Sequence, residues 1–491
     1  MTAHEWQSLP LDAESREAIA LHGLDYRLVD TADATAFGDW IQASTRGFLD
    51  PDPTPEELAN GRDSYAYRRT TGVYDSSTPS PTWPVATVNS WVAELTMPGG
   101  RGIPMWAISE VTVAPTHRRR GIARALLQGE LRTAADAGVP IAGLTVSEAT
   151  IYGQFGFAPA AFASDWVIET ARARWIGPRP AGRVDFIDRE RATAELFTLH
   201  ERVRRSQPGE VTAWPGHWRR LAGTAGGQEQ ARKIRAIRYA DAQGRTRGIA
   251  LYRLAENDSD FTKHELTLSY LLTETPDAYA ALWRFLLELD LVSTVRAFLR
   301  SVDEPLRWMI ADQRAATVTC SEHQWLRVLD VPRVLQARRY VAAGECVLHV
   351  DDPLGFAEGT WMLRVGADGS ASVERLAGAG ARAGDDRGVE RDGGAGEGVE
   401  GAAQTSDAAP DTSAPDADAD AAAPDTAARD AAASAVPEAR LPVASLGAML
   451  LGGVRASTLW AAGSIHGEPE AIATLDRLFA PIETPWLGIW Y

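Results

Sequence analysis

Apolar and polar residues exchange places with two different periods along the first 175 residues, and the switch between them outlines an α/β block. Over Val85–Leu95 and Met105–Val113 the pattern is that of strands and predicts an antiparallel pair. From about Gly121 to Ala137 the period lengthens. Ile122, Leu126, Leu127, Leu131 and Ala134 share one helical face, and Gly138 with Pro140 stops the helix. Asp25–Val29 and Ala32–Thr45 predict a strand and a helix ahead of this unit, and Ile141–Val146 a strand behind it. A second block, about 176–315, has a hairpin (Ile234–Tyr239, Gly248–Leu254), a strand at Glu265–Leu272 and a helix at Asp277–Leu289. A third region opens near Thr317 with a strand at Trp325–Asp330 and a helix at Pro332–Arg339. It continues with strands at Cys346–His349 and Trp361–Val365 and a helix over Leu441–Ala462.

Residues 377–440 break the pattern. They are mostly Ala, Gly, Asp and Pro, hold no aromatic residue, and cannot bury enough surface to offset their ordering entropy. A disordered insertion interrupting one domain is expected. This tract carries 14 acids against 5 arginines, a net of −9, which leaves −8 of the chain's −17 for everything else. Such a balance argues against nonspecific nucleic-acid binding. No run approaches the roughly eighteen apolar residues of a membrane span. The start, MTAHEWQSLPLDAESREAIA, lacks the apolar stretch of a secretory signal, so a cytoplasmic protein is expected. The two cysteines, Cys320 and Cys346, are expected as buried thiols without a disulfide, and no Cys/His cluster has metal-ligand spacing.

Candidate chemistry concentrates in Val111-Thr-Val-Ala-Pro-Thr-His-Arg-Arg-Arg-Gly-Ile-Ala-Arg124. A strand ends, a basic turn with one glycine follows, and a helix begins. At such a junction the free N–H groups and the positive end of the helix dipole face a ligand anion. Gly121 permits close approach of the backbone, Ala123 keeps the next turn slim, and Arg119, Arg120 and Arg124 add charge for a pyrophosphate. The combination fits coenzyme A. The pattern R-x-x-G-x-(G/A) also occurs at 220–225, 245–250, 375–380 and 391–396, and the copy at Arg245–Ala250 repeats the tetrapeptide RGIA. Only the copy at 118–123 follows an alternating strand and opens a helical period; the copy at 245 runs into a strand. The plain alternative for 118–123 is a basic helix start on the surface.

At these residues the chain resembles the GNAT acetyltransferase superfamily. Three further segments narrow the likeness: Ser147-Glu148-Ala-Thr-Ile-Tyr152-Gly-Gln-Phe155-Gly-Phe157-Ala-Pro159, Trp325-Leu-Arg-Val-Leu-Asp330-Val-Pro-Arg-Val-Leu-Gln-Ala-Arg338, and Leu446-Gly-Ala-Met-Leu-Leu-Gly-Gly-Val-Arg455-Ala-Ser-Thr458. Together they resemble the Eis (enhanced intracellular survival) acetyltransferases over nearly the whole chain apart from 377–440. The resemblance implies an α/β (α+β) chain with two tandem GNAT-like domains, 1–175 and 176–315, followed by a sterol-carrier-protein-like domain, 316–491, that contains the insertion. It also implies a homohexamer and an acetyl-CoA-dependent N-acetyltransferase without a metal. The acceptor would be an amine-bearing small molecule or a lysine side chain, with aminoglycoside-like polyamines leading. Val111, Thr112, Val113, Arg119, Arg120, Gly121, Ile122, Ala123, Arg124, Ser147 and Glu148 would contact acetyl-CoA. Tyr152 would be the general acid, and the terminal carboxylate, here on Tyr491, the general base. The tail Pro485-Trp-Leu-Gly-Ile-Trp-Tyr491 holds no acid, unlike family members that carry one beside the last residue.

Amine acetylation by direct attack needs a neutral amine, a polarised thioester carbonyl and a protonated leaving thiolate. A splayed strand at Glu110–Val113 would offer a backbone N–H, that of Val113 first, to the developing oxyanion. Tyr152 either protonates the departing sulfur or packs with Phe155 and Phe157. Burial among Trp486, Leu487, Ile489 and Trp490 would raise the pKa of a terminal carboxylate and suit it to proton abstraction; the bland reading is that these residues only anchor the tail. Glu110 is the rival base, on the face opposite Val111 and Val113 if alternation is strict, and His117 reads as a surface or phosphate-side residue. Trp40, Phe48, Asp50 and Asp52 either wall the acceptor site or belong to a solvated loop with a helix cap at Thr54. The alternative to an enzyme is a noncatalytic acyl-CoA or lipid binding protein.

Overall fold

The antiparallel pair expected from Val85–Leu95 and Met105–Val113 is part of a large sheet in the computed structural model, which describes residues 3–214, 216–225, 229–377 and 436–491. Its strands in chain order are β1 (Asp25–Leu28), β2 (Arg69–Tyr74), β3 (Ala86–Thr96), β4 (Gly102–Val113), β5 (Ile141–Thr145), β6 (Ala158–Glu169), β7 (Arg183–Ile187), β8 (Ile234–Ala240), β9 (Thr246–Ala255), β10 (His264–Thr273), β11 (Val292–Arg300) and β12 (Ala316–Val328). They pair in the order β1-β2-β3-β4-β5-β12-β6-β11-β10-β9-β8-β7. A smaller sheet, β13 (Gly344–Asp351), β14 (Gly359–Val365), β15 (Ala371–Arg375), β16 (Glu438–Pro442) and β17 (His466–Gly467), is ordered β15-β14-β13-β16-β17. The insertion expected to be disordered, 377–440, falls almost wholly outside the described residues.

The large sheet contains the same arrangement twice. In each half an antiparallel hairpin leads through a helix into a parallel strand: β3-β4, the helix Ile122–Asp136 and β5, then β9-β10, the helix Pro276–Leu287 and β11. Helix crossovers of this length are what a parallel pair requires. The strand expected at Trp325–Asp330 is the end of β12, which lies in the large sheet between β5 and β6. Residues 323–328 are buried without alternation, and an apolar run reports a buried strand but not which sheet takes it. The helix expected over Leu441–Ala462 is instead β16, a helix Val443–Met449 and a helix Ala456–Ala461, interrupted at Gly452-Gly453. Of the cysteines, Cys346 is buried as expected, whereas Cys320 is exposed; both are free.

Two buried ion pairs clamp these layers. Glu130, on the helix Ile122–Asp136, accepts from Arg69 at 2.8 Å and from the Trp106 indole at 2.9 Å, pinning that helix to β2 and β4. Arg327 of β12 reaches the Asp352 carboxylate at 2.6 Å with both side chains wholly buried, and donates to the Phe155 carbonyl at 2.6 Å. One guanidinium thus joins the small sheet, the large sheet and the turn that carries Tyr152. Removing one member of a buried pair strands the other charge. Asp352→Ala is therefore expected to cost about 3–5 kcal/mol, read as a lower midpoint in urea unfolding, and an unchanged midpoint would contradict this role.

Candidate active site

Strand β4 departs from strict alternation at Glu110. Its φ of +55° and a register shift against β3 between Thr87 and Asn89 mark a bulge there. Thr87 holds the bulge, its hydroxyl donating to the Glu110 carbonyl at 2.8 Å and lying 2.6 Å from that of Thr112. Beyond the bulge Ala114 donates to Val85 at 2.7 Å, so the N–H groups of Val113 and Val111 face the opposite edge, toward β5. Pairing of β4 with β5 is confined to Trp106–Ala142 and Ala107–Gly143, after which the strands splay. The expected splay is present, and the bulge explains the direction of Glu110: Ser44 donates to its carboxylate, as does Tyr65 at 2.6 Å, and all three line one cleft region.

The basic turn follows as expected. Arg119 and Gly121 adopt left-handed φ values of +64° and +74°, and Gly121 caps the helix with no side-chain acceptor on the first turn. A Cβ at Gly121 would meet nothing within 4 Å, so the glycine serves the backbone turn rather than relief of a contact. Arg118, Arg119, Arg120 and Arg124 are exposed and have no ion-pair partner among the described residues. Four uncommitted cations around an open helix N-terminus fit a pyrophosphate. His117 departs from expectation. It is buried, 3.0 Å from Asp75 and 2.8 Å from the Thr116 hydroxyl, and so fastens the turn to the segment after β2. Hydrogen bonds from Ser77 and then His117 hold Asp75 below the usual carboxylate range. The Arg245–Ala250 copy of the motif lies in the β8-β9 hairpin and opens no helix of its own; Gly248 packs beside Ala278 in the helix Pro276–Leu287.

Across the splay lies a cleft of about 210 Å³ whose lining includes Glu110, Val111, Thr145, Ser147, Tyr152 and Tyr491. Tyr152 follows the β5 turn, packs edge-on against Phe157 with centroids 6.2 Å apart, and also lines the cleft, so the expected packing is present and does not remove the ring from the cleft. Burial, then the charge of Glu148, raises its pKa above the ordinary tyrosine value. Glu148 itself is exposed. The Tyr491 carbonyl accepts from the Thr145 hydroxyl at 2.8 Å, and the Tyr491 ring packs edge-on against Trp91 at 5.7 Å. Gly143 leaves room for that ring: a Cβ there would sit 3.0 Å from the Tyr491 hydroxyl and would strike the Met105 sulfur.

A wider space of about 470 Å³ continues the cleft along the helices Ala34–Phe48 and Pro55–Tyr65. Phe48, Asp50 and Asp52 line it, while Thr54 and Glu57 also form a complete capping box, so that segment is both wall and cap. Trp40 does not line it. Its ring is fully buried beside Phe37 and its indole donates to the Thr71 carbonyl at 2.8 Å, a core role. Sequence reasoning missed Ser44, Tyr65, Arg68, Thr145, Trp214 and Arg220. Arg68 is buried with its guanidinium 4.3 Å from the Trp91 ring and 4.4 Å from the Tyr65 ring, and it donates to Tyr67 at 2.7 Å. No spacing rule joins residues from four separate elements.

A splayed parallel pair, a bulged strand and an uncapped basic helix start define an acyltransferase of the GNAT class. Residues 28–160 and 209–328 each match an acetyltransferase (GNAT) domain family, and residues 416–488 match a sterol carrier protein domain. An uncharacterized N-acetyltransferase of Streptomyces avermitilis is 35% identical over 357 residues, covering 71% of this chain and 83% of the relative. The N-acetyltransferase Eis of Mycobacterium tuberculosis is 33% identical over 291 residues, covering 56% of this chain and 67% of the relative. Among solved structures, Eis1 of Mycobacterium abscessus superposes with a TM-score of 0.71 at 23% identity, covering 95% of this chain and all of that one. The chain belongs to the Eis family of GNAT N-acetyltransferases. It is an acetyltransferase with two GNAT domains and a sterol-carrier-like domain, and the GNAT domains imply use of acetyl-CoA. Among the described residues no group of three His, Cys, Asp or Glu could hold a metal, and no helix is long and apolar enough to cross a membrane.

If the uncommitted arginines serve the pyrophosphate, Arg120→Gln and Arg124→Gln should each weaken coenzyme A binding about three- to tenfold. Titration calorimetry at two ionic strengths checks this, because screening should shrink both losses at high salt. Losses independent of salt would contradict a charge-based role.

Proposed function

We propose that this enzyme acetylates primary amines by direct attack on the thioester of acetyl-CoA, with aminoglycoside-like polyamines the leading acceptor class. The reading rests chiefly on one observation: Val111, Tyr152, Glu110 and Tyr491 line a single cleft at the mouth of the β4-β5 splay. Acetyl-CoA, when bound, supplies the activated acetyl group. Arg119, Arg120, Gly121, Ile122, Ala123 and Arg124 would hold its pyrophosphate, and Val111, Thr112, Val113, Ser147 and Glu148 would flank its acyl arm. The Val113 N–H faces the splay and is suited to the negative charge that develops on the carbonyl oxygen.

The incoming amine must lose a proton. A carboxylate on Tyr491, beside Thr145 and Trp490, is the base we favour, and Glu110 is its rival. The position of Glu110 weakens its claim, since Ser44 and Tyr65 donate to its two oxygens and already hold the carboxylate toward the helices Ala34–Phe48 and Pro55–Tyr65. Glu110 with Asp50, Asp52 and Glu57 instead supplies negative charge along the acceptor wall, which supports a cationic acceptor. Tyr152 protonates the departing sulfur. A homohexamer is the assembly we propose, on the family resemblance.

Thiol release from acetyl-CoA against a panel of amines tests this reading. Tyr152→Phe should lower kcat by about 10²–10⁴-fold with little change in KM for acetyl-CoA. The acid must be protonated to act, and its pKa is raised, so wild-type activity should persist through pH about 10, the ordinary tyrosine value, before falling. Full activity in Tyr152→Phe, or a falling limb well below that pH shared by both proteins, would contradict the assignment.

A further inference from the structure

The second GNAT half repeats the geometry of the first without its donor turn. Strands β10 and β11 pair in parallel only from His264–Val292 to Leu268–Ala297, and β10 bulges at Ser269 between Leu268 and Tyr270. The helix that follows is closed, however. Thr275 caps it with its own side chain, Pro276 opens it, and the preceding residue is Glu274, which pairs with Arg202 and Arg247. With a first-turn N–H already bound by Thr275 and a carboxylate just before it, this helix start is less open to a pyrophosphate than the one at Gly121. The splay in this half therefore offers a cavity without a donor site beside it.

That cavity, about 350 Å³, lies against the tail at Gly488–Trp490 and contains no acidic residue in its lining. Three arginines line it. Arg300 is committed to Glu304 at 3.2 Å and to the Leu271 carbonyl at 3.2 Å. Arg220 and Arg253 have no ion-pair or hydrogen-bond partner for their guanidinium groups among the described residues. Ser269 and Tyr270, at the bulge, carry hydroxyls that also lack a partner in the structure, and the Tyr270 side chain is more than nine-tenths buried. Arg220 and Trp490 line both this cavity and the cleft that holds Tyr152 and Tyr491, so the two spaces share a wall. Phe298, Ile489 and Trp490 add apolar surface between the charges.

We infer that this basic annex binds an anionic group of the acceptor, a carboxylate or phosphate, while the acceptor's amine lies in the catalytic cleft. The inference rests on the acetyltransferase reading and extends its acceptor class to amines that also carry a negative group. An acidic wall at Asp50, Asp52 and Glu110 on one side and uncommitted arginines on the other would orient such a molecule along the cleft. Guanidinium groups suit carboxylate and phosphate because their planar fork donates two parallel hydrogen bonds.

The test uses the full-length protein with coenzyme A bound and linear ω-amino carboxylates of increasing length, each beside the alkylamine of equal length. Titration calorimetry should show at least one amino carboxylate binding roughly three- to tenfold tighter than its alkylamine partner. Arg253→Gln, at an exposed position in the annex, should remove most of that difference. In thiol release from acetyl-CoA the same pairs should differ in KM and not in kcat. If no length favours the carboxylate, or Arg253→Gln leaves the preference intact, the annex assignment is overturned. Carboxylate-selective binding without acetyl transfer to any amine would support the annex and sink the proposed amine acetylation. Transfer that ignores the carboxylate would do the reverse.

Discussion

From Thr484 to Tyr491 the backbone is held, at intervals of one to two residues, by groups from three other parts of the chain. The Thr484 carbonyl accepts from Gln207 at 2.7 Å, Trp486 donates to the Pro208 carbonyl at 2.8 Å, and Gly488 donates to Glu210 at 2.9 Å. The His323 ring lies 2.8 Å from the Ile489 carbonyl, and Thr145 donates to the Tyr491 carbonyl at 2.8 Å. Each such bond contributes only about 0.5–1.5 kcal/mol, but their spacing fixes the register of the strap. Leu487 and Ile489 are buried between them, and the Trp486 indole donates to the Leu299 carbonyl at 2.8 Å. The second half of the large sheet, β12 and β5 must all be in place before Tyr491 can reach the cleft.

This dependence accounts for features that look unrelated one at a time. Gly143 keeps β5 bare where the Tyr491 ring lies, and Trp91 of β3 supplies the ring that it meets. Inserting β12 between β5 and β6 joins the two halves into one sheet, and Thr96 at the end of β3 donates to the Glu210 carbonyl at 2.8 Å, so the distance from Glu210 to Thr145 is set by backbone pairing across β3, β4 and β5. His200 is buried 3.3 Å from the second oxygen of Glu210, and that carboxylate is thereby oriented toward Gly488. Burial opposes charging His200, but the carboxylates of Glu201, 3.8 Å away, and Glu210, 3.3 Å away, leave its pKa raised.

The donor side was legible in the sequence because it is local. Strand, basic glycine turn and helix are contiguous from Val111 to Arg124, and the turn geometry follows from residues that neighbour one another. Tyr152 was legible through a motif of similar length. The acceptor side was not, because Ser44, Arg68, Thr145, Trp214 and Arg220 meet only after distant elements pair. His117 shows the limit in another way: a histidine beside three arginines reads as a surface or phosphate-side residue, yet it is buried against Asp75, 42 residues earlier in the chain. The position of β12 escaped for the same reason. The apolar run at Trp325–Val328 reports a buried strand, whereas the choice of the gap beside β5 is made by pairing partners that the run does not encode.

The claim on which the account turns is that the tail carries a working carboxylate to the cleft. A variant extended by a few residues beyond Tyr491 moves that group while leaving the donor turn and Tyr152 untouched. Paired measurements of amine-dependent thiol release and of acetyl-CoA binding should show turnover collapsing in the extended protein with donor affinity retained. Equal turnover in the two proteins would contradict the account and transfer the role of base to Glu110.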